Sequence, residues 1–262
     1  MIILKLGGSA LTVKNADKPT IDDDNLERIA EEVSYYNDEL VIVHGAGSYG
    51  HIYAKEYAIG EKIVVDEENN RKIEGMAKIQ SSMQLMNHIV ISKLQEYGIP
   101  AVTIKPSSFI ITNNKRIEKC DLSLVEEYLR KGFVPVLYGD AVLDYDEEIN
   151  FAILSGDQII TYLAKELQAD KVILSSDVDG IYTDNPKTNP NAKIIREVTR
   201  DTIFSLTNDN SQADVTGGMS GKISELLDLA DEGIKSQIIN AQKKGNIRLA
   251  VSGKEVNGTL IK

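Results

Sequence analysis

Short apolar, β-branched runs alternate along the chain with longer stretches in which apolar residues recur every three or four positions. Two of the short runs, 2–5 and 40–43, lead directly into glycine-containing turns. The longer patterns predict helices over about 24–36 and 71–97. This alternation is typical of a mostly parallel sheet flanked by helices, so we predict an α/β fold.

The rest of the chain continues the same pattern. Further strands are predicted at 101–104, 134–137 and 172–174, and further helices near 122–130, 157–167 and 222–231. A hairpin is predicted over 109–119, divided by Asn113 and Asn114. No repeat or linker interrupts the 262 residues, so a single domain is expected.

Charge and composition exclude several classes of function and location. Twenty-nine basic and 40 acidic residues give a net charge of −11, which disfavours binding to nucleic acid or to an anionic membrane. No apolar run approaches the roughly 18–20 residues that cross a bilayer, and the first residues turn polar too soon for a signal peptide. With one cysteine, Cys120, an internal disulfide is excluded, so we expect a cytoplasmic protein. No histidine or cysteine cluster indicates a metal site.

Three glycine-rich turns, at 7–9, 45–50 and 216–222, suggest phosphate binding. The turn 45–50 has the G-x-G-x-x-G spacing, and Asp66 lies sixteen residues beyond it, so a dinucleotide-dependent oxidoreductase is one alternative. Against this alternative, the motif follows the second predicted strand rather than the first. The turn 216–222 precedes a helix and ends in Lys222, but Ile223 stands where a P-loop requires a hydroxyl.

Four segments together resemble the amino acid kinase superfamily: 5–9 (KLGGS), 177–183 (DVDGIYT), 184–190 with its two prolines, and 216–219 (TGGM). The resemblance implies an open, largely parallel eight-stranded sheet sandwiched between helices, in one kinase domain over 1–262. It further implies an acceptor-binding lobe over 1–154, through which relatives commonly dimerise, and an ATP-binding lobe over 155–262.

The segment 44–51 (HGAGSYGH) is similar to that of the archaeal isopentenyl phosphate kinases, in which the final histidine binds the phosphate of the acceptor. The resemblance therefore implies ATP-dependent phosphorylation of isopentenyl phosphate, with Mg²⁺, by a homodimer. Fosfomycin kinase is similar here too, so His51 indicates a phosphate or phosphonate acceptor more firmly than an isoprenoid. UMP is another acceptor within the superfamily, and a silent nucleotide sensor is a further alternative. Ala46 departs from the glycine that relatives frequently have.

Residue roles follow from this resemblance and from the chemistry. Phosphoryl transfer depends on positioning and on neutralising charge, so cations are the main candidates. Lys5 ends an apolar strand, where an unpaired lysine would be costly. By resemblance, Lys14 stabilises the transition state, Asp157 organises the lysines, and Lys222 contacts ATP. The catalytic set is Lys5, Lys14, His51, Asp157 and Lys222.

The binding residues form two further sets. The resemblance places ATP against Lys5, Leu6, Gly7, Gly8, Ser9, Gly47, Asp177, Tyr182, Gly217, Gly218 and Lys222. It places the acceptor against Gly45, Ala46, Gly50, His51 and Gly156. We add Met76, Ile79 and Met83 as candidates to contact the hydrocarbon tail, although ordinary core packing is the favoured interpretation of this apolar helix stripe.

Overall fold

The computed structural model of the protein describes residues 1–13, 18–63, 66–184, 186, 188–202 and 219–262. Its strands are β1 Ile2–Leu6, β2 Leu40–His44, β3 Ala101–Thr103, β4 Ile110–Asn113, β5 Arg116–Cys120, β6 Val134–Tyr138, β7 Asp140–Leu143, β8 Phe151–Leu154, β9 Lys171–Ser176, β10 Ile181–Tyr182, β11 Ile194–Ile195, β12 Glu197–Val198, β13 Lys235–Asn240 and β14 Gly258–Ile261. Its helices are α1 Gly8–Leu11, α2 Asp23–Val33, α3 Gly47–Glu56, α4 Asp66–Glu96, α5 Ser123–Arg130, α6 Gly156–Glu166, α7 Met219–Asp231 and α8 Asn246–Val251.

Eight strands form one sheet in the order β12-β14-β13-β9-β1-β2-β6-β3, which confirms the predicted fold class. Its neighbouring strands pair in parallel except for β13 with β14. The first strand, β1, is central, and its Lys5 is in register with Val43 of β2 and Leu174 of β9. Because parallel strands end at the same edge, the turns after β1, β2, β6 and β9 converge there.

Helices cover both faces of this sheet. In β1, Leu4 and Leu6 pack into one hydrophobic cluster, with α1 to α4 and α8. Ile3 packs into the other, with α5, α6 and α7. Since successive side chains of a strand point to opposite faces, Lys5 lies on the α6 face and meets the start of that helix. The alternation of side chains in β1 therefore directs Lys5 towards α6, while Leu4 and Leu6 pack against the helices on the opposite face of the sheet.

The element boundaries differ in places from the sequence predictions. The helix predicted over 71–97 begins earlier, at Asp66, and the chain leaves it through Gly98, whose φ is +77°. The predicted hairpin is β4 with β5, but the left-handed residues at its turn are Asn114 and Lys115. Several elements were not predicted, among them the β7–β8 hairpin, the antiparallel pair β13–β14, the short helices α1 and α8, and the short strands β10, β11 and β12.

Within the described ranges, no helix combines the length and the apolar character that crossing a membrane requires.

Candidate active site

Two glycine turns lie against each other at the carboxyl edge of the sheet. A Cβ atom added to Gly45 would lie 2.6 Å from the backbone nitrogen of Gly8, and one added to Gly8 would overlap the backbone of Gly47. Gly47 itself has φ +49°, a conformation that residues with a side chain rarely adopt. Glycine is therefore required because two stretches of backbone touch here.

A cavity of about 640 Å³ opens over this contact. It is bounded by both turns, by the ends of β8 and β9, and by the first turn of α6. Many of the predicted site residues line it: Lys5, Gly7, Gly8, Ser9, Gly45, Ala46, Gly47, Gly50, His51, Ile79, Gly156, Asp157 and Asp177. The structure thus brings together residues that are more than 170 positions apart in the sequence.

Lys5 is the cation at the floor of the cavity. Its ammonium forms an ion pair with Asp157 in the first turn of α6, and the lysine is 8% exposed. Ser155 caps this helix by accepting a hydrogen bond from the Gln158 N–H at 3.1 Å. A Cβ on Gly156 would lie 3.5 Å from Cε of Lys5. The first turn of α6 thus holds Lys5 at the cavity: Asp157 pairs with its ammonium, and Gly156 leaves room for its side chain.

The first glycine turn connects β1 to the end of β9. Gly7 donates its N–H to the carbonyl of Ser175 at 2.8 Å, and Ser9 donates its hydroxyl to Asp177 at 2.8 Å. Leu6 is fully buried in the core, and its side chain is not part of the cavity wall. Any contact of Leu6 with a nucleotide would therefore involve its backbone.

The second turn leads into α3. Here a Cβ added to Gly50 would lie 2.5 Å from the methyl group of Ala46. His51 follows on α3, is exposed, and faces the cavity. Within the described residues, the N–H groups of Ala46 and Gly47 donate to no protein acceptor. An exposed histidine and two available N–H groups suit an anionic group.

A buried histidine forms a hydrogen bond with the first residue of the turn 45–50. His44, the last residue of β2, is fully buried and donates from Nδ1 to the carbonyl of Gly45 at 3.0 Å. Its Nε2 accepts from the amide of Asn87 in α4 at 3.1 Å, and Asn87 accepts from the hydroxyl of Thr103 in β3. Burial lowers the pKa of His44 from 6.5 to about 4, against the opposing effect of the Gly45 bond. The ring is therefore neutral at physiological pH.

The apolar wall differs from the one expected. Of the three helix residues predicted for it, Ile79 lines the cavity, whereas Met83 is buried in the core and Met76 packs against that core. A Cβ on Gly50 would lie 3.3 Å from Sδ of Met83, so Met83 supports the turn from beneath. The apolar residues of the wall are Val13, Ala54, Ile79, Ile153, Leu154 and Val178.

Tyr182 lies apart from this cavity wall, in a polar cluster around Asp179. Asp179 accepts hydrogen bonds from Lys243 at 2.8 Å, Asn240 at 2.9 Å and the hydroxyl of Tyr182 at 3.3 Å. Burial raises the pKa of Asp179, but the bonds from Lys243 and Asn240 outweigh it and hold the pKa below its ordinary value. This carboxylate therefore joins the segment after β9 to the end of β13.

Some predicted residues lie outside the described part of the chain: Lys14, Gly217, Gly218 and the side chain of Lys222. Among the described residues, no three histidine, cysteine, aspartate or glutamate side chains are grouped as a metal site would require.

The sequence did not single out several residues of the cavity wall, among them Thr12, Gly139, Asp140 and Ser176. Gly139 follows β6 as Gly45 follows β2, so its position at a strand end was a usable signal. Asp140 is buried, and burial raises the pKa of its carboxyl despite hydrogen bonds from Ser107 and Ala141. Thr12 contacts both glycine turns, and the sequence holds no sign of this.

The fold and this site define a class of phosphotransferase. The model of the amino acid kinase family matches residues 1–240, and the chain belongs to that family. Isopentenyl phosphate kinase from Methanothermobacter thermautotrophicus is 48% identical over all of this chain and 98% of its own length.

Solved structures of isopentenyl phosphate kinases are also similar to this chain. An X-ray structure of isopentenyl phosphate kinase is 46% identical, covers 99% of both chains, and superimposes with a TM-score of 0.90. A crystal structure of an isopentenyl phosphate kinase substrate complex is 29% identical over the whole of both chains, with a TM-score of 0.81. The similarity thus extends from one end of the chain to the other.

Proposed function

We propose that this chain is an isopentenyl phosphate kinase, which transfers the terminal phosphoryl group of ATP to isopentenyl phosphate. The observation that carries the proposal is the single cavity that touches both glycine turns, with the Lys5–Asp157 pair at its floor. Two polyanions need to meet in such a reaction, and each turn offers backbone N–H groups to one of them. The full-length similarity to isopentenyl phosphate kinases supports the choice of acceptor.

The acceptor occupies the half of the cavity next to α3. Its phosphate lies against the turn 45–50, where the N–H groups of Ala46 and Gly47 and the His51 side chain donate to it. Its five-carbon tail lies against Ala54, Ile79 and the end of β8, whose side chains offer no hydrogen bond. The combination of anion cradle and apolar wall matches the two ends of an alkyl phosphate.

The nucleotide occupies the other half, next to the end of β9. Its terminal phosphates lie against Gly7, Gly8 and Ser9, with Asp177 close by. Mg²⁺ would accompany the nucleotide beside the carboxylate of Asp177, and it would neutralise phosphate charge there. Gly217, Gly218 and Lys222 remain predicted nucleotide contacts, and Lys14 remains the residue predicted to stabilise the transition state.

The chemical step is a direct in-line displacement. A phosphate oxygen of the acceptor forms a bond to the γ-phosphorus of ATP, while the bond from that phosphorus to the β–γ bridging oxygen breaks and ADP leaves. The second pKa of a phosphate monoester is about 6, so the acceptor is already a dianion at neutral pH and needs no strong base. The protein has to position the reactants and balance their charge.

Lys5 supplies charge at the point of transfer, because its ammonium neutralises the migrating phosphoryl oxygens. Asp157 holds that ammonium in place through the ion pair at the start of α6. As in the sequence prediction, Asp157 therefore acts as the organiser of the lysine rather than as a base. The two-lobe division, the homodimer and the cytoplasmic location likewise stay predictions.

The test is ADP release by the purified protein with Mg-ATP and a panel of acceptors: isopentenyl phosphate, UMP, acetylglutamate, carbamate and fosfomycin. The proposal predicts a kcat/KM for isopentenyl phosphate that is at least about a hundred times that for any other acceptor, because His51 and the apolar wall recognise opposite ends of it. Preferred turnover of a different acceptor would contradict the proposal.

A further inference from the structure

Thr12 lies between the two glycine turns and is 5% exposed. It is the residue after α1, and its hydroxyl donates to the carbonyl of Gly8 at 2.9 Å. The same oxygen accepts a hydrogen bond from the backbone N–H of Ser48 at 3.2 Å. One hydroxyl group therefore connects the turn after β1 to the turn after β2.

The methyl group of Thr12 completes the contact. A Cβ on Gly47 would lie 2.5 Å from the Thr12 oxygen and 2.7 Å from its methyl carbon. The side chain thus fills the space beneath the one residue of the second turn that has a left-handed backbone. The hydroxyl and the methyl group contact neighbouring residues of the same turn, Ser48 and Gly47.

The bridging requires a particular chemistry. A hydroxyl donates one hydrogen bond and accepts others at the same time, which a carbonyl, an ammonium or a methyl group does not do. Valine has the shape of threonine without this ability, and serine keeps the ability without the methyl group. The three side chains therefore separate the effect of the hydrogen bonds from the effect of packing.

The separation of the two turns matters because each turn carries one reactant in the proposed function. In-line transfer requires the attacking oxygen and the γ-phosphorus to be almost in contact, and a misplacement of about 1 Å costs roughly 10²-fold in rate. A bond that joins the turns acts on this separation. It does not act on the contacts that each turn makes with its own ligand.

We propose that Thr12 is a positioning residue, which sets the distance between donor and acceptor phosphates by tying the two turns together. The proposal rests on the proposed function, since it assumes one reactant on each turn. It makes a specific claim about kinetics: losing the bridge lowers kcat, while each substrate alone binds as before.

The experiment compares Thr12→Val and Thr12→Ser with the wild type. The measurements are kcat and KM with Mg-ATP and isopentenyl phosphate, the Kd of ADP and of isopentenyl phosphate by calorimetry, and the melting temperature. We expect Thr12→Val to lower kcat by about 10-fold to 100-fold, with each Kd within about threefold of wild type. We expect Thr12→Ser to restore kcat to within about fivefold, because it retains both hydrogen bonds.

Thr112→Val is the matched control. Thr112 is also buried, and its hydroxyl donates to Asp144 at 2.7 Å, in the region of the β4–β5 hairpin. It does not line the cavity, so this variant should lose stability while keeping kcat. If Thr12→Val does not fold, Thr12→Ala replaces it under the same criteria.

Three results would overturn the role of Thr12: a wild-type kcat in Thr12→Val, a Thr12→Ser variant as slow as Thr12→Val, or a weakened Kd that accounts for the whole loss. Failure of the underlying function is a separate result, since the wild-type protein would then not turn over isopentenyl phosphate at all. If the wild type prefers another acceptor, the same comparison is made with that acceptor.

Discussion

His51 is exposed and lies beside the turn 45–50, which we propose to bind the acceptor phosphate, in a chain whose net charge is −11. Such a chain repels an anionic substrate at long range, so recognition depends on a few groups inside the cavity. Lys5 is held by Asp157, whereas His51 faces the half of the cavity where we place the acceptor phosphate. Acceptor affinity should therefore respond to His51 more than to any residue of the apolar wall.

His51→Ala should lower kcat/KM for isopentenyl phosphate by about 10-fold to 100-fold, because it removes a hydrogen bond to a charged group, which contributes about 1.5–3 kcal/mol. The KM for ATP should change little, since His51 lies in the acceptor half. Steady-state kinetics with each substrate varied in turn checks both values.

His88→Gln is the control for this substitution. His88 is also exposed, but it lies on α4 and does not line the cavity. This variant should have wild-type kinetics. An unchanged kcat/KM in His51→Ala, or an equal loss in both variants, would rule out the assigned role of His51.

The residues of the site were predictable where the signal is local. Gly7, Gly8, Gly45 and Gly47 belong to short motifs at strand ends, so the sequence placed them correctly at the cavity. Thr12 was missed because its two partners are Gly8 and Ser48, and the second lies 36 positions away. Which distant backbone groups a hydroxyl meets depends on how two turns pack, and no motif encodes that.

At the scale of elements, four of them meet around the buried imidazole of His44. The strand β2 supplies His44, α4 supplies Asn87, and β3 supplies Thr103. Tyr138 of β6 stacks on the imidazole with the ring centroids 5.3 Å apart. A protonated ring could not accept the hydrogen bond from Asn87, so this arrangement requires the neutral form.

The consequence is a pH dependence of stability. The pKa of His44 falls from 6.5 in the unfolded chain to about 4 in the folded protein, so the unfolded state binds the extra proton between these values. Stability from the neutral ring is therefore complete above pH 6.5 and is lost as the pH falls towards about 4, by up to about 3 kcal/mol in all.

Urea unfolding at pH 6.5, 5.5 and 4.5 measures this loss. The wild type should lose more free energy of unfolding over this range than His44→Gln, which has no group to titrate at that position. His88→Gln should follow the wild type, because its histidine is exposed. Parallel curves for the wild type and His44→Gln would show that His44 is not the group responsible.

The helix α4 also shows a limit of pattern reading. Its apolar period correctly predicts a buried face, and Ile79, Met83, Met86 and Val90 are buried. The period does not distinguish a face against the core from a face against a cavity, because both exclude water. Gly50 packs over Met83 and separates it from the cavity, whereas Ile79 lines the cavity. This difference depends on how α3 packs against α4.

At the scale of the whole molecule, the alternation of strands and helices was enough to predict the α/β class. It did not predict the order of strands or the β7–β8 and β13–β14 pairs, whose strands span four to six residues and depend on partners elsewhere. The central place of β1 matters most for function. It puts the turn after β1 between the ends of β2 and β9, and so places the two predicted substrate sites side by side.

The central claim is that a phosphoryl group passes directly from ATP to isopentenyl phosphate in this cavity. Phosphorus NMR of a reaction with stoichiometric Mg-ATP tests it most directly, because it distinguishes a diphosphate ester from inorganic phosphate. We predict that the acceptor monoester signal is replaced by the two coupled signals of isopentenyl diphosphate, in equal amount to the ADP formed. ADP formed together with inorganic phosphate, with the monoester signal unchanged, would contradict this account.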